Sequence, residues 1–372
     1  MMRTKLAANN RSFLQRIHCD STLLFGLLVL MAVGLVTIYS AGGQDIGLIQ
    51  RQLTRLGLAL GVMFVVAQIP PMAYQKLSVY FYVIGIAMLI AVLVIGVSSK
   101  GAQRWIDLGA FRFQPSEIMK LAVPMMVAWY ITRFNLPPKT WHILVGFALV
   151  AVPTLLIARQ PDLGTSLLIA CSGVFGLFLA GMSWRFISFV AIAISAFTPI
   201  MWTFLMQDYQ KQRVLTFLNP ESDPLGAGYH IIQSQIAIGS GGAQGKGWLQ
   251  GTQSQLEFLP EPHTDFIFAV FSEEFGFWGV VGLLSIYAFI VIRGMLIAVK
   301  AQDAFSKILA GSITLTFFVY VFVNMGMVSG ILPVVGVPLP LVSYGGTSMV
   351  TLLAGFGILM AISTQKRIMS RE

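Results

Sequence analysis

The sequence predicts an all-α integral membrane protein of about ten transmembrane helices, with one long external loop between the seventh and eighth. Hydrophobic residues make up 56% of the chain and charged residues 10%, against roughly 25% charged residues in soluble domains. The apolar residues also form runs of about 20, the length that a helix needs to cross a bilayer. This composition excludes a soluble enzyme and a disordered protein.

The spans follow one another closely, so the chain is interpreted as a single polytopic membrane domain over residues 1–372. Seven spans fall in 1–206, the external loop covers 207–264, and three spans with a re-entrant proline-rich segment fall in 265–372. The first run is too long, and too closely followed by others, for a cleaved signal peptide. The spans are predicted at residues 22–41, 54–70, 77–97, 116–133, 141–158, 163–181, 185–206, 275–298, 305–328 and 345–364.

The distribution of charge predicts the orientation of the chain in the membrane. Basic residues before the first span place the N-terminus in the cytoplasm, and ten spans return the C-terminus to the same side. Those residues are Arg3, Lys5, Arg11 and Arg16. Of the 15 acidic residues, only Asp20, Asp303 and Glu372 are then cytoplasmic. Because acidic residues do not set topology, their excess on the outer side indicates a function there.

One carboxylate lies where the external loop returns to the membrane. Residues 261–265 read Glu-Pro-His-Thr-Asp, and Phe266 begins an apolar stretch that is predicted to be helical through Glu274. An ionisable group beside a low-dielectric region is costly unless it is paired or used. Asp265 is therefore the leading candidate for a functional carboxylate.

Two external span starts resemble each other, with Gln-Pro-Ser-Glu at 114–117 and Gln-Pro-Asp at 160–162. Proline suits the first helical turn, and an acid there favours the positive helix end, so Asp162 is either a helix cap or a binding residue. Glu117 also shares a helix face with Lys120. That pair is either a structural ion pair or an anion site lined by Lys120 and held in place by Glu117.

Further cations lie on the predicted outer side. Residues 100–105 form a short external loop, in which Arg104 is either an interfacial anchor beside Trp105 or a contact for a lipid phosphate. Lys211 and Arg213 follow the seventh span directly, and Lys246 lies in a glycine-rich stretch. These three cations either keep the loop solvated or bind a pyrophosphate at the bilayer surface.

The glycine-rich stretch, residues 239–248, is not a Walker A loop, because Gly247 stands where Ser or Thr is needed. It is interpreted either as a flexible loop or as a backbone that approaches a phosphate or sugar closely. Residues 231–238 are predicted to form a short amphipathic helix at the surface.

A proline-rich stretch, residues 331–340, interrupts the last apolar region and precedes Ser343. Irregular backbone at membrane depth must be buried in protein or line a cavity. We therefore expect this stretch to form one wall of an outer cavity, with Ser343 as a substrate-binding candidate.

These segments together resemble the SEDS family, the shape, elongation, division and sporulation proteins. The resemblance runs from the first span to the last, and it departs from the family pattern at none of the charged positions in the motifs. The motifs are Lys100-Gly-Ala-Gln-Arg-Trp, Phe113-Gln-Pro-Ser-Glu117, Gln160-Pro-Asp-Leu-Gly-Thr165, Gly239-Ser-Gly-Gly, Phe258-Leu-Pro-Glu-Pro-His-Thr-Asp-Phe266 and Pro338-Leu-Pro-Leu-Val-Ser-Tyr-Gly-Gly346.

The resemblance implies a peptidoglycan glycosyltransferase that polymerises lipid II during cell elongation, at the periplasmic face of the cell inner membrane, and releases undecaprenyl pyrophosphate. It implies that Asp265 is essential and that Glu117 and Lys120 are important. It also implies a class B penicillin-binding protein as the cross-linking partner, together with other membrane proteins of the elongation complex.

The chemistry of such a reaction fits the residues. An acceptor hydroxyl needs a general base, for which Asp265 is the candidate, and a leaving pyrophosphate needs cations. The cofactor considered is a divalent cation, Mg²⁺ or Mn²⁺, for which the sequence gives no ligand set. A lipid flippase and a non-catalytic scaffold are the alternative functions. The net charge of +9 belongs mostly to span ends and does not indicate nucleic acid.

Overall fold

The computed structural model describes residues 18–99, 102–107, 112–206, 208–222, 227–255 and 262–364. Ten helices in these ranges correspond to the ten predicted spans, which confirms the all-α membrane architecture. The terminal basic residues that were used to predict the orientation lie outside the described ranges.

The elements are named here in chain order. They are α1 (Ser21–Ala41), α2 (Ile46–Ala67), α3 (Pro71–Ile95), β1 (Val97–Ser99), β2 (Ala102–Asp107), β3 (Arg112–Phe113), α4 (Pro115–Ile131), α5 (Thr140–Ala158), α6 (Leu163–Leu179), α7 (Trp184–Ile200, continued by a π-helical turn at Met201–Leu205), α8 (Asp208–Leu218, followed by a 3₁₀ turn at Pro220–Ser222), α9 (Ala227–Ser240), α10 (Thr252–Gln255), α11 (Ile267–Lys300), α12 (Ala304–Val328) and α13 (Thr347–Thr364).

Seven of the described helices are, by length and composition alone, long and apolar enough to cross a membrane. They are α1, α3, α5, α7, α11, α12 and α13. Of the other three spans, α4 and α6 have 17 residues each. The third, α2, begins at Ile46, eight residues before its predicted span, and so carries Arg51 and Arg55 in its outer turns.

The bundle is built from packed pairs around a central helix. α2 packs on α13, α3 on α4, α5 on α6, and α1 on α11. α12 contacts α4, α6, α11 and α13 and is the most buried of the long apolar helices among the described residues. Helices satisfy their own backbone hydrogen bonds, which is why they can expose apolar side chains such as Phe25, Leu58 and Val94 to lipid.

Helix α7 stands apart from this bundle. Within the most apolar stretch of α7 and its π-helical continuation, none of the described residues is buried. Its large apolar side chains, including Phe189, Ile192 and Phe204, are exposed. The only substantial contacts recorded for α7 in the described chain are with its own π-helical continuation.

The predicted external loop at residues 100–105 is wrong in its local structure. Its described part belongs to a three-stranded antiparallel sheet, in which β1 pairs with β2 and β2 pairs with β3. Trp105 lies opposite Val97 in this sheet, and the alternation of a strand gives Arg104 a fixed direction. The sheet therefore positions Arg104 directly before α4.

Helix α11 confirms the helix predicted after Asp265, and it contains a break. Gly276 has φ 63° and ψ −164°, which interrupts the helical backbone. Positive φ is tolerated well by glycine alone, so the sequence fixes the break at this residue. The predicted span beginning at residue 275 starts at this break, and the preceding turns form a separate short helix at the outer end.

The external region contains more helix than predicted. Helix α9 confirms the helix expected at residues 231–238, but it is docked on the bundle rather than lying free at the surface. Ile231, Ser234 and Ala237 on one face are buried. The Ser234 hydroxyl donates to the Val328 carbonyl oxygen at 2.8 Å. The sequence also predicts turns at residues 223–229: residues 223–226 lie outside the described ranges, and at 227–229 the prediction is wrong, because α9 begins at Ala227.

Candidate active site at the outer end of the bundle

Asp265 lies at the outer end of the bundle, two residues before α11, and is partly exposed. Its backbone carbonyl accepts a hydrogen bond of 2.9 Å from the Asn324 amide of α12. The same amide donates to the Val337 carbonyl oxygen at 2.7 Å. Asn324 is fully buried, so water does not compete for the two hydrogen bonds by which it joins the Asp265 turn to the proline-rich segment.

The proline-rich segment forms a wall beside Asp265, as predicted. The Ser343 hydroxyl donates to the Thr264 carbonyl oxygen at 2.6 Å and accepts from the Leu339 N–H at 2.8 Å. Gly336 faces the Asp265 carboxylate, since a Cβ added there would lie 3.6 Å from Oδ2. The Ser343 hydroxyl thus bonds to the backbone of both the Asp265 turn and the proline-rich segment. Gly336 places no side chain next to the Asp265 carboxylate.

Glu117 and Lys120 form the predicted ion pair, with 2.7 Å between Lys120 Nζ and Glu117 Oε1. Both side chains are buried in α4. The second carboxylate oxygen of Glu117, Oε2, has no hydrogen-bond partner among the described residues. A buried carboxylate with one unsatisfied oxygen is costly, and this geometry fits both the structural ion pair and the anion site that the sequence predicts.

Tyr320 lies between the ion pair and the proline-rich wall. Lys120 Nζ is 5.2 Å from the centre of its ring. Lys120 and Tyr320 line a cleft of about 370 Å³ that is otherwise mostly apolar. Tyr320 also lines a second cleft of about 290 Å³ together with Pro338 and Ser343. One buried tyrosine therefore separates the α4 pair from the wall beside Asp265.

The two similar span starts, those of α4 and α6, meet beside β2. Gln114 donates to Asp162 Oδ2 at 3.1 Å, and Arg104 lies 3.7 Å from the same oxygen. Asp162 Oδ1 accepts from the Thr165 N–H at 3.2 Å, so Asp162 is a helix cap. Arg104 also donates to the backbone carbonyls of Gln160, at 3.3 Å, and Pro161. Arg104 is thus an anchor for this corner.

Lys246 is not free to face a ligand, contrary to the sequence-based expectation. Its ammonium lies 2.7 Å from Glu273 Oε1. Glu273 is fully buried and also accepts from the Thr252 hydroxyl at 3.0 Å and from the Gln253 N–H at 3.1 Å. The Glu273 carboxylate thus binds residues within and just after the glycine-rich stretch, and the Lys246 ammonium neutralises its charge.

The glycine-rich stretch is packed on the bundle. Its backbone bonds to the segment before the break in α11: the Lys246 N–H donates to Glu273 O, and the Gly247 N–H donates to Glu274 O. A Cβ added at Gly245 would overlap the Glu274 carbonyl, and one at Gly276 would overlap Gly245 N. The glycines allow two backbones to touch.

Lys211 and Arg213 lie on α8 rather than in an irregular loop, and both are partly exposed. Both lie within the first two turns of α8, directly after the seventh span. They therefore belong to the outer surface next to the seventh span.

Sequence reasoning missed Asn324, Tyr344 and Arg55. Asn324 had a signal, since an amide in an otherwise apolar span indicates a buried hydrogen-bonding role. Tyr344 donates its N–H to the His263 carbonyl oxygen at 2.8 Å, and the Arg55 guanidinium lies 4.5 Å from its ring centre. No local pattern joins a residue of α2 to the segment before α13.

A divalent cation finds no ready cage in the described part of the chain. No group of three or more His, Cys, Asp and Glu side chains gathers there in a metal-binding arrangement. The described groups that hold the Asp265 turn are backbone carbonyls, the Ser343 hydroxyl and the Asn324 amide, and no catalytic step is assigned to a metal.

The fold and the site define a polytopic membrane protein with a buried ion pair and a half-exposed carboxylate at one end of its bundle. The family described as "Cell cycle protein", which comprises FtsW, RodA and SpoVE proteins, matches residues 13–368. The chain belongs to this family.

Two curated relatives support membership of this family. The chain is 56% identical over 364 residues to "Peptidoglycan glycosyltransferase MrdB" of Escherichia coli K12, covering 98% of both chains. It is 35% identical to "Probable peptidoglycan glycosyltransferase FtsW" of Idiomarina loihiensis, covering 94% of this chain and 86% of that one.

Two solved structures share the fold. One, described as "Structural coordination of polymerization and crosslinking by a peptidoglycan synthase complex", superposes with a TM-score of 0.81 at 31% identity, covering 92% of this chain and 97% of that one. Thermus thermophilus rod shape determining protein RodA gives a TM-score of 0.70 at 28% identity, covering 92% and 96%.

Proposed function

We propose that Asp265 is the general base of a glycosyl transfer reaction at the outer end of the bundle. The chain is a peptidoglycan glycosyltransferase, as are the relatives named above. One observation carries the residue assignment. The backbone around Asp265 is held from two directions by Asn324 and Ser343, while the carboxylate faces a glycine, Gly336. A base held in this way is oriented and still accessible.

The reaction joins an acceptor sugar hydroxyl to the anomeric carbon of a lipid-linked donor. The hydroxyl oxygen forms the new bond, its proton passes to the Asp265 carboxylate, and the bond from the anomeric carbon to the pyrophosphate oxygen breaks. A positioned base contributes about 10² to 10⁴ in rate. With lipid II as the donor, the lipid product is undecaprenyl pyrophosphate.

The ion pair of α4 supports this reaction in the proposal. Lys120 supplies positive charge in a low-dielectric cleft, where electrostatic stabilisation of a leaving group is strongest. Glu117 holds Lys120 by the 2.7 Å contact and keeps one oxygen available for a substrate donor group. Arg104 and Asp162 fix the corner next to this cleft.

The remaining outer residues have lesser roles. Ser343 holds the Thr264 backbone, and Lys246 neutralises Glu273 under the loop. Lys211 and Arg213 on α8 contribute positive charge where an anionic lipid headgroup would approach, and their effect is modest because exposed charges are screened.

The proposed location is the inner membrane, with both termini cytoplasmic and the site on the periplasmic side. The basic residues before the first span support this orientation. A solved relative belongs to a complex that coordinates polymerization and crosslinking. A class B penicillin-binding protein is accordingly the proposed partner of this chain, since that class cross-links glycan strands.

Asp265→Asn tests the assignment, because it keeps the shape of the side chain and removes its basicity. We expect glycan synthesis from lipid II, by the purified chain with its partner, to fall by about a hundredfold or more. Asp208→Asn is the matched control, since Asp208 is an exposed outer aspartate at the start of α8. Near-normal synthesis by Asp265→Asn would exclude the base role.

A further inference from the structure

Two arginines of α2 surround the ring of Tyr344. The Arg55 guanidinium carbon lies 4.5 Å from the ring centre, and Arg51 interacts with the tyrosine hydroxyl. The two arginines are one helical turn apart, so they reach the ring from the same helix face. Arg51 is also 3.3 Å from the exposed carboxylate of Asp45.

This cluster is connected to Asp265 through backbone and rings. The Tyr344 N–H donates to the His263 carbonyl oxygen at 2.8 Å, and the two rings meet edge to face with centres 5.7 Å apart. His263 precedes Asp265 by two residues. A guanidinium stacked on Tyr344 is therefore held on the same rigid turn as the proposed base.

Helix α2 is locked in register against this turn. Gln52 is buried, and its amide donates to the Ser343 carbonyl oxygen at 3.5 Å. Its amide oxygen accepts from the Gly345 N–H at 3.4 Å. Gln52 lies between the two arginines in sequence, so it fixes their position relative to Ser343 and Tyr344.

The surroundings of Arg55 differ from those of three paired cations at the same end of the bundle. Lys120 and Lys246 each have a carboxylate oxygen at 2.7 Å, and Arg104 has one at 3.7 Å. Within the described residues, Arg55 has no carboxylate at ion-pairing distance, and its contact is the face of the Tyr344 ring. A partly buried guanidinium that rests on a ring face keeps its positive charge and its N–H donors, and both attract an anion.

We propose that Arg55, oriented by Tyr344 and assisted by Arg51, binds the pyrophosphate of the lipid-linked donor. This inference rests on the proposed glycosyl transfer. A guanidinium can grip a phosphate with two parallel hydrogen bonds, and stacking on a ring leaves its N–H edge available for them. Phosphate is also the headgroup of ordinary anionic phospholipids, so the test separates these two sources.

The test measures binding rather than turnover. The full chain with Asp265→Asn, in neutral detergent, is titrated with farnesyl pyrophosphate, a short lipid pyrophosphate that carries no sugar. Adding Arg55→Ala is expected to raise the dissociation constant about tenfold to a hundredfold, the usual range for a lost charged hydrogen bond. Arg55→Lys keeps the charge but loses the paired geometry, and its loss is expected to be intermediate.

The matched control is Arg159→Ala, since Arg159 is another arginine at the predicted outer end of a span and is exposed. It is expected to leave the dissociation constant unchanged. Tyr344→Phe keeps the ring and is expected to bind nearly as the parent, whereas Tyr344→Leu loses the stacking surface and binds more weakly. Melting temperatures of all variants are measured in the same detergent.

Two results overturn the proposal. One is unchanged binding by Arg55→Ala in a chain that melts normally. The other is full displacement of farnesyl pyrophosphate by an equal concentration of phosphatidylglycerol, which would make this a general phospholipid contact. Failure of the base role is a separate result, because it appears as glycan synthesis by Asp265→Asn and not as a change in this binding.

Discussion

At the scale of single residues, the candidate site shows two kinds of cation among the described residues: those paired with a carboxylate and one stacked on an aromatic ring. Lys246 and Glu273 illustrate the first kind, because a fully buried carboxylate needs its partner. Arg55 illustrates the second, because an aromatic face supports its position without cancelling its charge. A residue's charge alone does not say which kind it is.

Exchanging the identities of Glu117 and Lys120 tests the α4 pair. The exchange keeps the attraction but moves the ammonium one turn toward the outer end of α4. We expect the melting temperature in detergent to change little and glycan synthesis to fall by about a hundredfold or more, because charge stabilisation depends on position. An exchanged variant that polymerises normally would return the pair to a purely structural role.

The spacing of Glu117 and Lys120 predicted their ion pair because three residues on a helix bring side chains to one face. The partner of Lys246 was not predictable in this way, since Glu273 is 27 residues distant and approaches only after α11 breaks at Gly276. Arg55 and Tyr344 are still further apart in sequence. Local periodicity predicts helices and neighbours within them, whereas contacts between segments depend on packing.

At the scale of elements, the ten spans were predictable because each needs only a sustained apolar run. The small sheet before α4 was missed because it is short and contains polar residues that suit a loop equally well. The docking of α9 was missed because the bond from the Ser234 hydroxyl to Val328, at the end of α12, joins residues 94 apart in sequence.

The ends of α1, α11 and α13 that lie opposite the candidate site are joined by one carboxylate. Asp20 caps α1 and accepts from Arg293 at 2.6 Å and from the Ser363 hydroxyl at 2.7 Å. Burial alone raises the pKa of the Asp20 carboxyl, but the hydrogen bonds from Arg293, Ser363 and Leu23 N outweigh it, so the pKa lies below 3.8. These bonds favour the charged form.

This junction predicts a stability that depends on pH. Because the folded-state pKa is depressed, the contribution is complete above the unfolded-state pKa and is lost as the pH falls through the folded-state pKa. Asp20→Asn is expected to lower the free energy of unfolding by about 1–3 kcal/mol at neutral pH and by less below pH ~4. Melting temperatures in detergent, from neutral to acidic pH, check this. A parallel fall of variant and parent across that range would contradict it.

At the scale of the whole molecule, the acidic residues define a functional side. The site residues Glu117, Asp162 and Asp265 lie at the same end of the bundle, whereas Asp20 and Asp303 cap helices at the other end. This separation fits an enzyme that works on one face of the membrane.

The orientation of that face is testable with single cysteines in a chain whose Cys19 and Cys171 have been replaced. Ala243→Cys on the glycine-rich loop is expected to react with a membrane-impermeant maleimide in intact spheroplasts. Lys300→Cys at the end of α11 is expected to react only after the membrane is disrupted. Both residues are exposed. Labelling of Lys300→Cys in intact spheroplasts would reverse the proposed topology.

The contact between the glycine-rich loop and the break in α11 restricts how this family of sequences can change. Gly245 and Gly276 have positive φ and each leaves no room for a methyl group on the other segment. A larger residue at either position therefore clashes with the backbone of the other segment. A second substitution on the same segment does not remove that clash. A tolerated change at this junction must move both segments together. We therefore expect few substitutions at these two glycines and many at the lipid-facing positions of the helices.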